Sequence, residues 1–283
     1  MANLHDLTQN KSILIKGKMV DLTQPKIMGI LNVTPDSFYE KSRSLTIAEI
    51  INQVQLMIES GADIIDIGGM STRPGATRID FKEEIKRIEL PIKAIRNEFP
   101  NTVFSLDTFH AQTASIGLEN GVDIINDVSG GQIDAEILDV VAKHKVPYIL
   151  THSYGMADSK KLESVNTNKI IQELITYFSK KINLLHEKGI HDVIIDPGFG
   201  FGKTINENYE IISDFEMLKI LGKPILVGVS RKSMIYKRLN TNIENSLIGT
   251  IVLNSILVEK GASIFRVHDV QEMNQIRSLL KFN

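Results

Sequence analysis

The chain has 283 residues, 42% hydrophobic and 23% charged, with 32 Lys+Arg against 34 Asp+Glu and no Cys. It is long enough for a sizeable core, and its composition is that of an ordinary globular protein. The formal net charge of −2 excludes the broadly basic surface of a generic nucleic-acid binder, and the missing Cys excludes disulfides, thiolate metal sites and a Cys nucleophile.

Residues 1–12 show no basic region followed by an apolar run, so no signal peptide is expected. The most apolar later stretch, 248–258, is shorter than the ~20 residues that span a bilayer. A cytoplasmic protein without membrane or nucleic-acid partners is the expectation. Residues 12–23 read as a β-hairpin turning near Gly17, within an N-terminal extension of residues 1–24. Residues 25–283 then read as one domain, because no Pro/Gly/Ser linker divides them.

Short β-branched runs recur along that domain. They lie at 26–33, 63–69, 103–108, 123–130, 147–153, 193–198, 224–230 and 263–269. Most are nearly continuous apolar runs, the pattern of parallel strands buried on both faces. Helical patterns fall between them. In 46–60, Ile47, Ile50, Ile51, Val54, Met57 and Ile58 share one face, Thr46 and Glu49 have capping-box spacing, and Gly61 is placed to end the helix. Gly121, Gly189 and Gly261 repeat that joint before later strands, and longer helices are expected at 81–98 and 168–188. Eight strands alternating with helices predict a single (β/α)8 TIM barrel, an α/β fold, with the hairpin against its floor; periodicity alone does not close a barrel, and an open doubly wound sheet is the alternative.

Active sites of such barrels lie at the C-terminal strand ends. There the chain gathers Asn32, Asp66, Asp107, Asn126 with Asp127, His152, Asp196, Ser230 to Lys232, and Arg266, His268 and Asp269. Any one of these is commonly a helix cap or a turn residue. Asp107, Asn126 and Asp196, however, sit in apolar runs where burial without partners is costly. Two carboxylates and an amide suit the edge of a polar heterocycle. Lys232, Arg266 and His268 suit phosphate, and Asn32 supplies a hard oxygen for Mg2+. The run 197–204 ends in Gly-Lys-Thr like a phosphate loop, but Pro197 stands where that motif needs its first Gly. Its glycines are better read as a tight turn under a flat ligand.

In order, MGILNVTPDSF (28–38), GADIIDIGGMSTRPGA (61–76), SLDT (105–108), GVDIINDVSGG (121–131), IIDPGFGFGKT (194–204), VGVSRKSMI (227–235) and RVHDV (266–270) resemble the dihydropteroate synthases. The resemblance runs from about Pro25 to Val270. It implies a homodimeric transferase of folate synthesis, assisted by Mg2+. It joins 6-hydroxymethyl-7,8-dihydropterin diphosphate to 4-aminobenzoate and releases diphosphate by dissociative displacement. It also implies residue roles. Asp107, Asn126 and Asp196 hold the pterin edge, Lys232 bonds the pterin carbonyl side and borders the 4-aminobenzoate pocket, and Arg266 stacks on the ring and helps hold the diphosphate. His268 and Asn32 face the diphosphate and Mg2+. Asp36 and Glu40 are carboxylates on the first loop near the reacting carbon. Phe38, Thr72, Arg73, Pro74, Phe201 and Ser233 complete the substrate pockets, and the shape around Phe38, Thr72, Pro74 and Ser233 bears on sulfonamide sensitivity.

The chain departs from the family pattern at Met70, where Glu is common before STRPG. It departs also at 39–42, where Tyr-Glu-Lys-Ser replaces a Gly-rich turn, and at Ser153, where Met is usual. These departures motivate an alternative, a catalytically weak pterin-binding or regulatory homologue.

Overall fold

The computed structural model describes residues 11–33, 46–70, 78–154 and 170–280. Within them the expected (β/α)8 barrel is present. A hairpin, β1 (Ser12–Ile15) and β2 (Lys18–Asp21), precedes it. The barrel strands are β3 (Lys26–Asn32), β4 (Ile64–Gly68), β5 (Val103–Asp107), β6 (Ile124–Asp127), β7 (Tyr148–Thr151), β8 (Val193–Asp196), β9 (Leu226–Val227) and β10 (Ile264–Val267). All pair in parallel in the order β8-β7-β6-β5-β4-β3-β10-β9, and the bridge between Ile195 and Ile225 closes the ring. The helices are α1 (Ile47–Glu59), α2 (Phe81–Glu98), α3 (Ala111–Glu119), α4 (Glu136–His144), α5 (Ile170–Glu187), α6 (Ile205–Ser213), α7 (Ser233–Arg238), α8 (Leu247–Glu259) and α9 (Val270–Leu279).

Local chemistry sets several boundaries where the sequence places them. Thr46 and Glu49 form the reciprocal capping box at the start of α1. Asp80 caps α2 by accepting from the Glu83 amide. Gly61 follows α1 at φ +102°, a left-handed turn that costs other residues more. Gly121, Gly189 and Gly261 also have positive φ. One strand falls short: the expected run 224–230 yields two strand residues. Pro224 lacks the N–H that a ladder needs, and Gly228 offers the strand no side chain to pack.

Period-two alternation sorts each strand into two faces. Outward residues such as Ile27, Leu31, Ile65, Ile67, Phe104 and Leu106 pack on the helices. At the barrel floor, inward Met28, Ile64, Ile124, Ile149, Ile194, Leu226 and Ile264 cluster with Ile13, Ile15 and Leu22 of the hairpin segment. Burying each of those three is worth roughly 1.5–3 kcal/mol, so the hairpin is a fixed floor for the barrel. An apolar plug thus fills the bottom, and most of the inward positions above it are polar. No described helix is long and apolar enough to cross a membrane.

Candidate active site

Register places the polar side chains at the mouth. Asn32 pairs with Gly68, Gly68 with Asp107, and Asp107 with Asn126 on one rung across four strands. Two residues nearer the floor, Ile30 pairs with Asp66 and Asp66 with Ser105. Arg266 comes in from β10. Its Nε donates to Asp66 Oδ2 at 2.6 Å and its Nη2 to Asp107 Oδ2 at 2.8 Å. Asn126 Nδ2 donates to the same Asp66 oxygen at 3.1 Å. One guanidinium therefore ties together residues about 200 and 159 positions away. The sequence named Asp66 at a strand end but gave it no site role. A charged residue at an inward position of an apolar strand is the signal that points to it.

Burial pushes the Asp107 carboxyl up to about 7; Arg266 opposes this, while Asp66, Glu84 and Asp127 add to it. Asp196, at the end of β8, is likewise raised by burial and pulled back chiefly by Lys232 and the Gly198 amide. Burial lowers Lys232 to about 8 against the pull of Asp196. Lys232 Nζ donates to the Phe199 carbonyl and sits 4.6 Å from the centre of the Phe201 ring. Gly228 leaves room beside it, since a Cβ there would lie 3.9 Å from Lys232 Nζ and 3.8 Å from Arg266 Cβ. Ser233, half-buried, opens α7 directly after Lys232.

Asp66 Oδ1, Asp107 Oδ1, Ser105 Oγ and Thr151 Oγ1 are buried with no hydrogen-bond partner among the described residues. Buried polar atoms are ordinarily paired. Four such oxygens on inward positions of β4, β5 and β7 line a place for a polar guest. Asn32 is half-buried at the top of β3, and a Cβ on Gly68 would lie 3.5 Å from its Oδ1 and 3.9 Å from Asp107 Cβ. The bare glycine keeps that gap open. At the end of β10, His268 is exposed, with Nδ1 3.1 Å from Ser230 Oγ.

Other strand-end residues do structural work. Asp127 faces outward and accepts from Tyr148 Oη and the Ser129 and Gly131 amides. His152 is buried among Tyr154, Tyr177 and Phe178, and burial holds it near 3, hence neutral. Arg231 makes a two-pronged pair with Asp269. Lys203, from the rejected phosphate-loop motif, donates to the His152 and Gly198 carbonyls and is buried. It braces a turn, a role that no local pattern signals. Met70 packs with Phe109 and Val128, and Ile79, Ile133 and Phe201 border that cluster, so apolar contact stands where a carboxylate is usual. Asp36, Phe38, Glu40, Thr72, Arg73 and Pro74 lie outside the described residues.

A family model described as pterin binding enzyme matches residues 28–268. The dihydropteroate synthase of Clostridium beijerinckii is 41% identical over 249 residues, covering 87% of this chain and 89% of that one. The structure superposes on the Yersinia pestis dihydropteroate synthase with a sulfonamide drug at a TM-score of 0.86 and 33% identity, covering 95% of this chain and 97% of that one. It superposes on the Xanthomonas albilineans enzyme with 4-aminobenzoic acid at 0.85 and 30% identity, covering 95% and 96%.

Proposed function

The chain belongs to the dihydropteroate synthases of the pterin-binding enzyme family, and from that premise we propose how its own residues carry the reaction. The observation that carries the assignment of sites is the set of buried oxygens around Asp66, Asp107 and Arg266 with no partner among the described residues. A pterin brings ring N–H and amino donors, and Asp107, Asn126 and Asp196 are the acceptors and amide that suit them. Lys232 and Phe201 border the same space and give the 4-aminobenzoate pocket one wall, with Ser233 beside them.

In the reaction the C–O bond between the pterin methylene and diphosphate breaks, and the electron pair leaves with diphosphate. The ring system delocalises the resulting cation. The amine nitrogen of 4-aminobenzoate then forms the new C–N bond and loses a proton. No protein nucleophile is required. The chain's task is electrostatic: Arg266 and His268 face the leaving group, and the buried carboxylates hold the ring that becomes positive. Asn32 fits Mg2+, which takes one or two protein oxygens and fills its shell with phosphate oxygens and water. When bound, Mg2+ would neutralise charge on the diphosphate.

The test is direct. Purified protein with both substrates and Mg2+ is expected to form dihydropteroate, and chelation of Mg2+ is expected to suppress it. A sulfonamide is expected to compete with 4-aminobenzoate. The Lys232 ammonium is present below about 8 and lost above it, so kcat/KM is expected to fall as pH rises through that range. Pterin diphosphate binding with no product would instead establish the catalytically weak homologue.

A homodimer is part of the same reading. Ile248 (75% exposed), Val252 (50%) and Ile256 form an apolar stripe on α8, and Leu239 at the end of α7 extends it. Sedimentation is expected to show a dimer that Ile248→Glu converts to monomers. A monomeric wild type at micromolar concentration would remove this element.

A further inference from the structure

Glu84 lies in the first turn of α2 and is completely buried. A buried carboxylate is tolerated at a helix N-terminus because free amides and the helix dipole favour negative charge there. It still needs partners, and the mechanism above gives it none. Its Oε2 accepts from Thr108 Oγ1 at 2.9 Å and contacts His110 Nδ1 at 2.8 Å, while Oε1 is buried without a partner among the described residues. The Thr108 amide donates to the Asn126 carbonyl at 3.0 Å. Glu84 also backs the end of β4: a Cβ on Gly69 would lie 3.1 Å from its Cγ. One side chain on the helix layer thus grips the residue that directly follows Asp107 and abuts the turn that follows Gly68.

We propose that Glu84 is a positioning residue that, through Thr108, fixes the carboxylate of Asp107 for the pterin. This rests on the assignment of Asp107 to pterin binding. The physical argument is one of leverage. Asp107 is the last residue of β5, and beyond it one backbone bond, from the Thr108 amide to the Asn126 carbonyl, still ties the chain to the sheet. Arg266 holds one of its oxygens from inside the barrel. The Glu84–Thr108 bond holds the following residue from outside. Together they fix the carboxylate from both sides of the sheet, leaving Oδ1 aimed at a guest. His110, at the N-cap of α3, bonds the same oxygen and ties the next helix to the same anchor.

Stability and ligand affinity should separate in two variants. Glu84→Gln keeps an oxygen able to accept from both Thr108 and His110, but buries an amide NH2 with no partner. It is expected to lower the melting temperature and leave the Kd for pterin diphosphate within about twofold. Glu84→Met fills the space with an apolar chain of similar length and leaves the Thr108 hydroxyl only the His110 amide as partner. It is expected to weaken pterin diphosphate binding at least about tenfold by calorimetry, with KM for 4-aminobenzoate little changed. Thr108→Val should match that loss, and the double variant should lose no more than either single one. Asp107→Asn serves as control for the underlying assignment. If it loses affinity while Glu84→Met keeps it, the positioning role is overturned and the assignment stands. If Asp107→Asn binds as wild type does, the assignment fails and takes this inference with it. Additive losses in the double variant would also overturn it.

Discussion

Replacing Arg266 with methionine is expected to abolish turnover and to destabilise the fold by about 3–5 kcal/mol. The reason lies in what the guanidinium leaves behind. Asp66 is completely buried and Asp107 nearly so, and both direct an oxygen at Arg266. Removing the cation leaves two carboxylates facing each other in a low dielectric. Asp107 already stands at about 7 with Arg266 opposing its burial. Without Arg266 its folded-state value rises further, while its unfolded value stays near the ordinary range. Between those values the folded chain holds a proton that the unfolded chain has released. Stability therefore falls as pH rises through that window, and the variant's deficit is expected to be larger at pH about 8 than at about 5. Urea unfolding at the two pH values reads this directly. Arg266→Lys keeps one charge but cannot reach two separate carboxylates with a fixed fork. It is expected to recover part of the stability and little of the turnover. A methionine variant that unfolds at the wild-type midpoint would show that the two carboxylates do not depend on Arg266.

The barrel was legible because its signals are local. Runs of β-branched residues, a capping box and a glycine after four of the helices all act within a few residues. The helix expected at 81–98 is α2 (Phe81–Glu98). The burial of Asp107, Asn126 and Asp196 was legible for a related reason: an ionisable or amide group inside an apolar run is conspicuous. What stayed hidden depends on phase and on distance along the chain. Asn126 and Asp127 are adjacent, yet one bonds Asp66 inside the barrel and the other bonds Tyr148 outside it. Strand phase decides between them, and four apolar-flanked residues do not reveal it. Glu84 reads as an ordinary acidic residue in a helix's first turn, and only tertiary packing places it behind Thr108. Lys203 reads as part of a phosphate-loop remnant, whereas the turn around it converts the ammonium into a brace for two carbonyls.

That turn carries the second large effect. Gly198→Ala is expected to cost about 3 kcal/mol or more and to weaken pterin binding with it. Gly198 has φ +68°, and a Cβ there would lie 2.0 Å from the His152 carbonyl oxygen and 3.0 Å from its carbon. The clash is with backbone, so no rotamer relieves it. The His152 oxygen is also held by Lys203, and the His152 amide donates to the Asp196 carbonyl. Relief must come from moving the ends of β7 and β8 apart. Asp196 moves with them, because its Oδ1 accepts from the Gly198 amide at 2.7 Å. Gly200→Ala makes the informative comparison. It has φ +82°, so backbone strain is similar, but its Cβ would meet Lys232 Cδ at 3.2 Å, a flexible stem that can give way. The alanine at 198 is therefore expected to lower the melting temperature well beyond the alanine at 200. It should also weaken pterin diphosphate binding, while the alanine at 200 acts mainly through Lys232 on the 4-aminobenzoate side. Equal losses at the two positions would mean that left-handed strain alone, and not the contact with His152, sets the requirement for glycine at 198.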